Sequence, residues 1–283
     1  MFGERTVCLY WGMPLTAPPR SSPSPGPFGD EEGGGDLVQA LARGLQVIRA
    51  FDARRPRMAL ADVARETGLT RATARRSLLT LHHLGYVAWD GKFFSLTPQV
   101  LTLGYAYLSS SPLPTVMQPA LSRITERTQE SCSACVLDGD EAVIVARAAS
   151  PRILSADLGV GSRFPLYCTS VGRVLLAELS PEEQRAALER TPPTPRTEHT
   201  VTDPEALLEV LRATLRDGYA LADQELEIGL RSISVPVRGA AGRVVAALTL
   251  SAQVGRVSRE EMLATYLPLL RQEAEELRPL LSA

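Results

Sequence analysis

No stretch of this 283-residue chain approaches the roughly 18 continuous apolar positions that a membrane-spanning helix needs. The apolar run that follows Met1 and Arg5 is broken by Gly12 and Pro14 and has no small-residue cleavage site, so a signal peptide is not expected. Cysteine is scarce: four residues in a chain of this length make no disulfide framework. Histidine is scarcer, and His82, His83 and His199 have no metal-ligand spacing with the single C-x-x-C, Cys132-Ser133-Ala134-Cys135. No Ser/His/Asp order and no carboxylate pair stands out, and Gly159-Val160-Gly161 lacks the third glycine of a dinucleotide-binding loop and reads as a turn. There is no internal repeat. The expectation is a soluble, cytoplasmic protein with no metal, no cofactor and no catalytic residue.

Net charge is also slight, at −2, which taken alone argues against nucleic acid. The charge is segregated, however. Residues 1–36 carry a net −3, residues 113–283 a net −5, and the intervening residues 37–112 hold nine Arg and one Lys against four acids, a net +6. A compact basic segment beside an acidic one is the electrostatic footprint of a DNA-binding module joined to something else.

Four stretches follow from composition and pattern. Residues 1–36 are rich in Pro, Ser and Gly, cannot bury enough apolar surface to offset chain entropy, and read as a disordered tail. Residues 37–97 read as a winged helix-turn-helix. Val38, Leu41, Leu45, Ile48 and Phe51 recur at helical spacing, and a second short helix carries Leu60, Val63 and Ala64. Gly68-Leu69-Thr70 forms a tight turn into a third helix with apolar face Ala74, Leu78 and Leu81. Two β-prone runs then flank Asp90-Gly91, the signature of a type I′ hairpin with positive φ at both central residues. Residues 98–112 read as a linker helix, entered at Thr97-Pro98 and uncharged from Leu101 to Pro112. So apolar a helix is expected to be covered by a domain or a second subunit. Residues 113–283 mix helices and strands. Pro119 is expected to break the first helix, strands are expected at 132–137, 142–148, 231–237 and 243–251, and Ser258 to Glu261 reads as a capping box opening a long C-terminal helix. The fold class is α+β.

In the third helix, Thr70 is a good N-cap, and Arg71, Thr73, Arg75 and Arg76 lie on the flank opposite the apolar face. The first turns of a recognition helix are what reach base edges in the major groove, where Arg binds guanine bidentately. Lys92 stands at the wing tip, within reach of phosphate. The bland alternative for each arginine alone is a solvated or phosphate-bound cation. Double-stranded operator DNA is the expected partner of the assembly.

At this point the chain resembles the IclR family of regulators. The resemblance runs through Leu41 to Ile48, Leu60 to Ala64, Gly68-Leu69-Thr70 and Leu78 to Val87, and then through Gly161 to Leu166, Gly172 to Ala177, Asp223-Gln224-Glu225 and Gly229 to Val237. Within the family, Tyr167 to Leu175 is most similar to regulators of aromatic-acid catabolism that respond to protocatechuate, 4-hydroxybenzoate or β-ketoadipate. The resemblance implies a GAF-like effector-binding domain, a homodimer or homotetramer, and a small carboxylic acid as effector. It also implies that the helix start at Ser170, Val171 and Gly172 binds that effector, with Leu230 and Ser232 at the matching positions after Gly229. A helix N-terminus, with unpaired N–H groups and a positive dipole end, suits a carboxylate. Thr249 and Ser251 alternate onto one face of the last strand and join the candidate set. Asp223 is included as well, although the family can carry an acid where this chain has Ala222.

Two other functions are open on the residues alone. One is a GAF-type redox enzyme using Cys132 or Cys135, which requires a thiol of low pKa. On a strand, residues three apart point to opposite faces, which instead suggests two structural cysteines. The other is a constitutive DNA-binding protein whose second domain serves assembly.

Overall fold

The computed structural model describes residues 38–52, 54–150 and 158–281. The tail expected over residues 1–36 lies outside the described residues.

The N-terminal module runs α1 (Gln39–Arg49), β1 (Arg57–Met58), α2 (Leu60–Thr67), α3 (Arg71–His83), β2 (Val87–Trp89) and β3 (Phe94–Leu96). The three short antiparallel strands lie in the order β1-β3-β2. Val47, Val63, Ala74, Leu78, Leu81, Val87 and Phe94 meet in one core. Two side chains set the turn geometry. The Thr70 hydroxyl caps α3 by accepting the Thr73 amide at 3.2 Å, and the Gln46 amide donates to the Thr67 carbonyl at 2.7 Å.

Two expectations for this module are corrected. The stripe of α1 does not all turn inward: Val47, Ala50 and Phe51 are buried, whereas Val38 and Leu41 are 67% and 63% exposed. Periodicity locates the helix, but the core takes up only its C-terminal half, and its N-terminal half is left exposed among the described residues. The wing is not closed by a two-residue type I′ turn either. Trp89 pairs with Phe94, leaving a four-residue loop in which Gly91 alone has positive φ, at 97°. The Asp90 carboxylate does the work that a second positive φ would have done. It accepts the Lys92 and Phe93 amides at 2.9 and 2.7 Å and pairs with Arg57. Those amides, and then Arg57, hold the Asp90 carboxyl below its ordinary pKa.

A 3₁₀ turn at Pro98–Val100, capped by Thr97, leads into α4 (Leu101–Ser110). Within one protomer this helix buries no residue, and Leu101 and Tyr105 are 73% and 69% exposed.

The C-terminal module follows as α5 (Leu113–Thr128), β4 (Ser131–Asp138), β5 (Glu141–Ala148), β6 (Arg163–Pro165), α6 (Ser170–Ala177), α7 (Pro181–Arg190), α8 (Pro204–Asp217), β7 (Ala220–Asp223), β8 (Leu230–Arg238), β9 (Val244–Gln253), α9 (Arg259–Glu261) and α10 (Leu267–Leu277). Its sheet is antiparallel, ordered β6-β5-β4-β9-β8-β7. Strand alternation divides the residues between two layers. Ile233, Val235 and Val237 on β8, with Leu248 and Leu250 on β9, face α5 and α10. Ala247 on β9, Cys135 on β4 and Ile144 on β5 face Val171, Val174 and Leu175 of α6. Each fully buried Leu or Ile adds about 1.5–3 kcal/mol of transfer free energy, and both layers are built this way.

Three details differ from expectation. Helix α5 runs through Pro119 unbroken, because the lost N–H bond is outweighed by Met117, Ala120, Leu121 and Ile124, all fully buried. The C-terminal helix is interrupted by a π turn at Met262–Tyr266, immediately before Pro268, which cannot donate the next helical bond. Of the box at its start, the Ser258 hydroxyl accepts the Glu261 amide at 3.1 Å without a reciprocal bond among the described residues. The short β1, β6 and β7 were beyond the reach of a pattern rule, having two to four residues each.

One contact seats α6. A Cβ built on Gly172 would lie 2.3 Å from the Leu166 Cα and carbonyl oxygen, so the helix start touches backbone directly. We expect Gly172→Ala to lower stability by about 3 kcal/mol or more in urea unfolding, because backbone cannot retreat as a side-chain tip can. Gly255→Ala, where no atom lies within 4 Å of the added carbon, should leave the midpoint nearly unchanged. Equal midpoints would show that the chain at Leu166 yields.

Candidate functional site

Two surfaces hold the residues singled out from the sequence. The first is the outer face of α3. Arg71, Arg75 and Arg76 are exposed, and Thr73 is half-buried. The hydroxyls of Thr70 and Thr73 are bonded to each other at 2.9 Å as part of the cap, so they position the helix start as well as facing outward. The arginines differ from their neighbours in one respect. Arg55 pairs with Asp52 and Glu66, Arg57 with Asp90, and Arg65 with Asp62. Among the described residues, no carboxylate lies within salt-bridge distance of Arg71, Arg75, Arg76 or Lys92. The acids of this module thus neutralise its scaffold and leave its recognition face charged. At the wing, the Lys92 ammonium and the Arg57 guanidinium lie 5.0 and 5.4 Å from the centre of the Phe93 ring, and Trp89, 49% exposed, stacks on Phe94.

The second surface is the face of the large sheet that lies beneath the start of α6. The register brings Ser133 of β4 opposite Thr249 of β9, which is opposite Ser234 of β8; one step along, Ser131, Ser251 and Ser232 line up in the same way. From α6, the Ser170 hydroxyl reaches down to Ser232 and Ser234, each at 2.8 Å. Thr249 bonds to the Ile233 carbonyl at 3.4 Å. Arg147 of β5 sits opposite Ser133 on this same face and donates to its hydroxyl at 3.1 Å. Ser133, Ser170, Ser234 and Thr249 are all buried. No strand residue on this face carries a carboxylate.

Most of the expected set is therefore brought together: Ser170, Ser232, Thr249 and Ser251 converge, and Val171 and Leu230 border them. Gly172 enters for a different reason. Its amide is already bonded to the Thr169 hydroxyl at 3.1 Å, so the first-turn amides left without a helical acceptor are those of Ser170 and Val171. Asp223 stands apart. It pairs across the ladder with Arg231, one residue out of phase with Ser232, and forms an ion pair with it at 2.8 Å on the opposite face. Ser131, Ser133, Ser234 and Arg147 were not anticipated. Ser234 was open to the same i, i+2 rule that joined Ser251 to Thr249; the others needed knowledge of which strands pair.

Behind the face, Arg173 is buttressed. Its Nε donates to the Tyr167 carbonyl at 2.9 Å, and its two Nη atoms take the two Glu225 carboxylate oxygens at 2.6 Å each, both side chains being buried. This bidentate pair ties α6 to the loop that precedes Gly229. The cysteines lie in apolar layers. Cys132 faces α5 and α10, and Cys135 faces α6. Burial pushes the Cys132 thiol up, the Cys135 thiol up to about 12 and the Cys168 thiol up to about 11. That is the reverse of what a nucleophilic thiol requires.

The family model for the bacterial transcriptional regulator IclR C-terminal region matches residues 105–278, and the IclR helix-turn-helix domain matches residues 40–91. The chain belongs to the IclR family. This IclR-family regulator is 45% identical over 243 residues to the Pca regulon regulatory protein of Pseudomonas putida, covering 86% of this chain and 84% of the relative. It is 40% identical over 250 residues to the p-hydroxybenzoate hydroxylase transcriptional activator of Acinetobacter baylyi, covering 87% and 92%. Among solved structures, an IclR homologue from Microbacterium hydrocarbonoxydans complexed with 4-hydroxybenzoate superposes with a TM-score of 0.74 at 27% identity, covering 84% of this chain and 97% of that one. Among the described residues, no helix is long and apolar enough to cross a membrane.

Arg71→Ala should weaken specific operator binding by about 1–3 kcal/mol, and binding to random DNA by much less, in a fluorescence-anisotropy titration. Equal losses on both DNAs would reassign Arg71 to phosphate contact.

Proposed function

We propose that this protein is a cytoplasmic, effector-responsive transcription regulator of aromatic-compound catabolism. Thr70, Arg71, Thr73, Arg75 and Arg76 of α3, with Lys92 of the wing, form its operator-binding surface. A small carboxylic acid of the protocatechuate, 4-hydroxybenzoate or β-ketoadipate kind is held between Arg147 and the start of α6, against Ser170, Ser232, Thr249 and Ser251. The observation that carries the reading is the hydroxyl-lined, carboxylate-free sheet face with a cation at its margin, in a chain whose other module leaves its recognition arginines unpaired. The relatives named above support the choice of ligand class. The chain divides functionally into the winged module to residue 97, a linker over 98–112 and the effector module beyond. The raised thiol pKa values favour regulator over redox enzyme.

Regulation requires the acid to bind two DNA-binding states with different affinity. An operator titration with and without each acid should therefore shift the midpoint. A ligand at about 100 times its dissociation constant should also add about 2.7 kcal/mol of stability, visible as a thermal shift. If no carboxylic acid moves either readout, the protein is a constitutive DNA binder and the effector reading fails.

The exposed apolar surfaces of α1 and α4 support assembly as a homodimer or homotetramer on a pseudo-palindromic site. Light scattering should give at least a dimer at micromolar concentration, and Leu101→Glu with Tyr105→Glu should lower the mass. A wild-type monomer protecting a single half-site would overturn this.

A further inference from the structure

The wing carries a carboxylate beside its cations, and Asp90 divides its two oxygens between two tasks. Oδ1 accepts the Lys92 and Phe93 amides at 2.9 and 2.7 Å and so closes the loop. Oδ2 takes the Arg57 guanidinium. Only the first task belongs to the turn. Asparagine closes such a loop with the same oxygen, so the turn does not account for a charge at position 90. Arg57 does.

Arg57 reaches this point by strand alternation. β1 has two residues: Met58, 3% exposed, belongs to the core of the module, and Arg57 therefore points the other way. Its guanidinium lies 5.4 Å from the centre of the Phe93 ring, and the Lys92 ammonium lies 5.0 Å from the same ring. Two cations and one carboxylate are thus gathered at the wing tip, a net +1. Exposed ion pairs usually contribute little, because two long side chains must be ordered to make them. Here much of that ordering is already in place: two amides fix Asp90, and the Phe93 ring supports Arg57. Among the described residues, Lys92 has no carboxylate within salt-bridge distance.

The geometry points to Arg57 and Asp90 as a neutral pair that sets the charge of the wing. Asp90 withholds Arg57 from the phosphates, and Arg57 masks a carboxylate that would repel them. Lys92 is left as the uncompensated cation of the wing. The pair bears on specificity. Attraction to phosphate is independent of sequence and supplies essentially all non-specific binding. A second free cation on the wing would hold any duplex more tightly and add nothing to base readout by α3. Arg57 and Asp90 are positioning residues that act through the charge and shape of the wing tip. The inference rests on the operator-binding surface proposed above.

The test is a fluorescence-anisotropy titration of the full-length protein on a mixed-sequence DNA duplex at several salt concentrations. Asp90→Asn keeps the oxygen that closes the turn and removes the charge. It should bind the duplex more tightly than wild type, with log K against log salt steeper by about 0.9, the value of one further phosphate contact. Arg57→Ala bares the carboxylate and should make the slope shallower by about 0.9. The double variant, Arg57→Ala with Asp90→Asn, should return to wild-type affinity and slope. Arg57→Lys should stay near wild type, and melting temperatures close to wild type show that each variant is folded. The inference is overturned if the double variant stays as weak as Arg57→Ala, because Arg57 then bonds phosphate itself, or if Asp90→Asn binds as wild type does. Lys92→Ala separates this from the reading beneath it. If Lys92→Ala weakens binding, the wing lies at the DNA whatever the pair does. If it binds as wild type does, the wing is not part of the DNA-binding surface and this inference falls with it.

Discussion

The start of α6 lies against the backbone at Leu166 with no side chain between them, and much of the C-terminal module is arranged around that seat. Glycine at position 172 lets the helix come this close. Closeness in turn lets the Ser170 hydroxyl reach two serines on β8, and brings Val171, Val174 and Leu175 onto the sheet. The Arg173–Glu225 pair holds the same helix from behind and anchors the loop leading into β8. Removing one partner of such a pair would leave a buried charge uncompensated, a cost of about 3–5 kcal/mol. A helix held on two sides can present its first turn to a ligand without reorganising.

The sheet puts opposite chemistries on its two faces by period-two alternation alone. In the middle of β8 and β9, Ser232, Ser234, Thr249 and Ser251 alternate with the core aliphatics Ile233, Val235, Leu248 and Leu250. One-residue slippage would bury the hydroxyls under α5 and α10 and expose the aliphatics, so the register is strongly specified. This explains why Asp223 fails as a pocket residue although it is close to Ser232 in the chain. It pairs with Arg231 and inherits the wrong face.

The winged module uses charge in a comparable division. Its carboxylates are spent on Arg55, Arg57 and Arg65, which hold the scaffold, and none reaches the arginines of α3. The module therefore has a directional field in spite of the chain's slight net charge. Between the two modules, α4 is uncharged and leaves Leu101, Leu103, Tyr105 and Tyr107 exposed in one protomer, and Val38 and Leu41 at the start of α1 are exposed as well.

By itself the sequence determined the helix-turn-helix, the wing, the order and approximate limits of the main strands, the cap at Thr70, and the family. Each of these is set by local chemistry: period, turn residues and capping side chains act within a few positions. It also singled out Ser170, Ser232, Thr249 and Ser251, partly by resemblance. Only the tertiary structure decided which of the apolar residues of α1 turn inward, that Pro119 is carried within a helix, and that the Asp90 side chain closes the wing. Only it brought Arg147, Ser131, Ser133 and Ser234 to the hydroxyl-lined face beneath α6 and placed Asp223 on the opposite face. The reason is physical: these outcomes depend on which strands pair, and in what register, across separations as long as that from Ser131 to Ser251, and no periodicity within a strand encodes its neighbour.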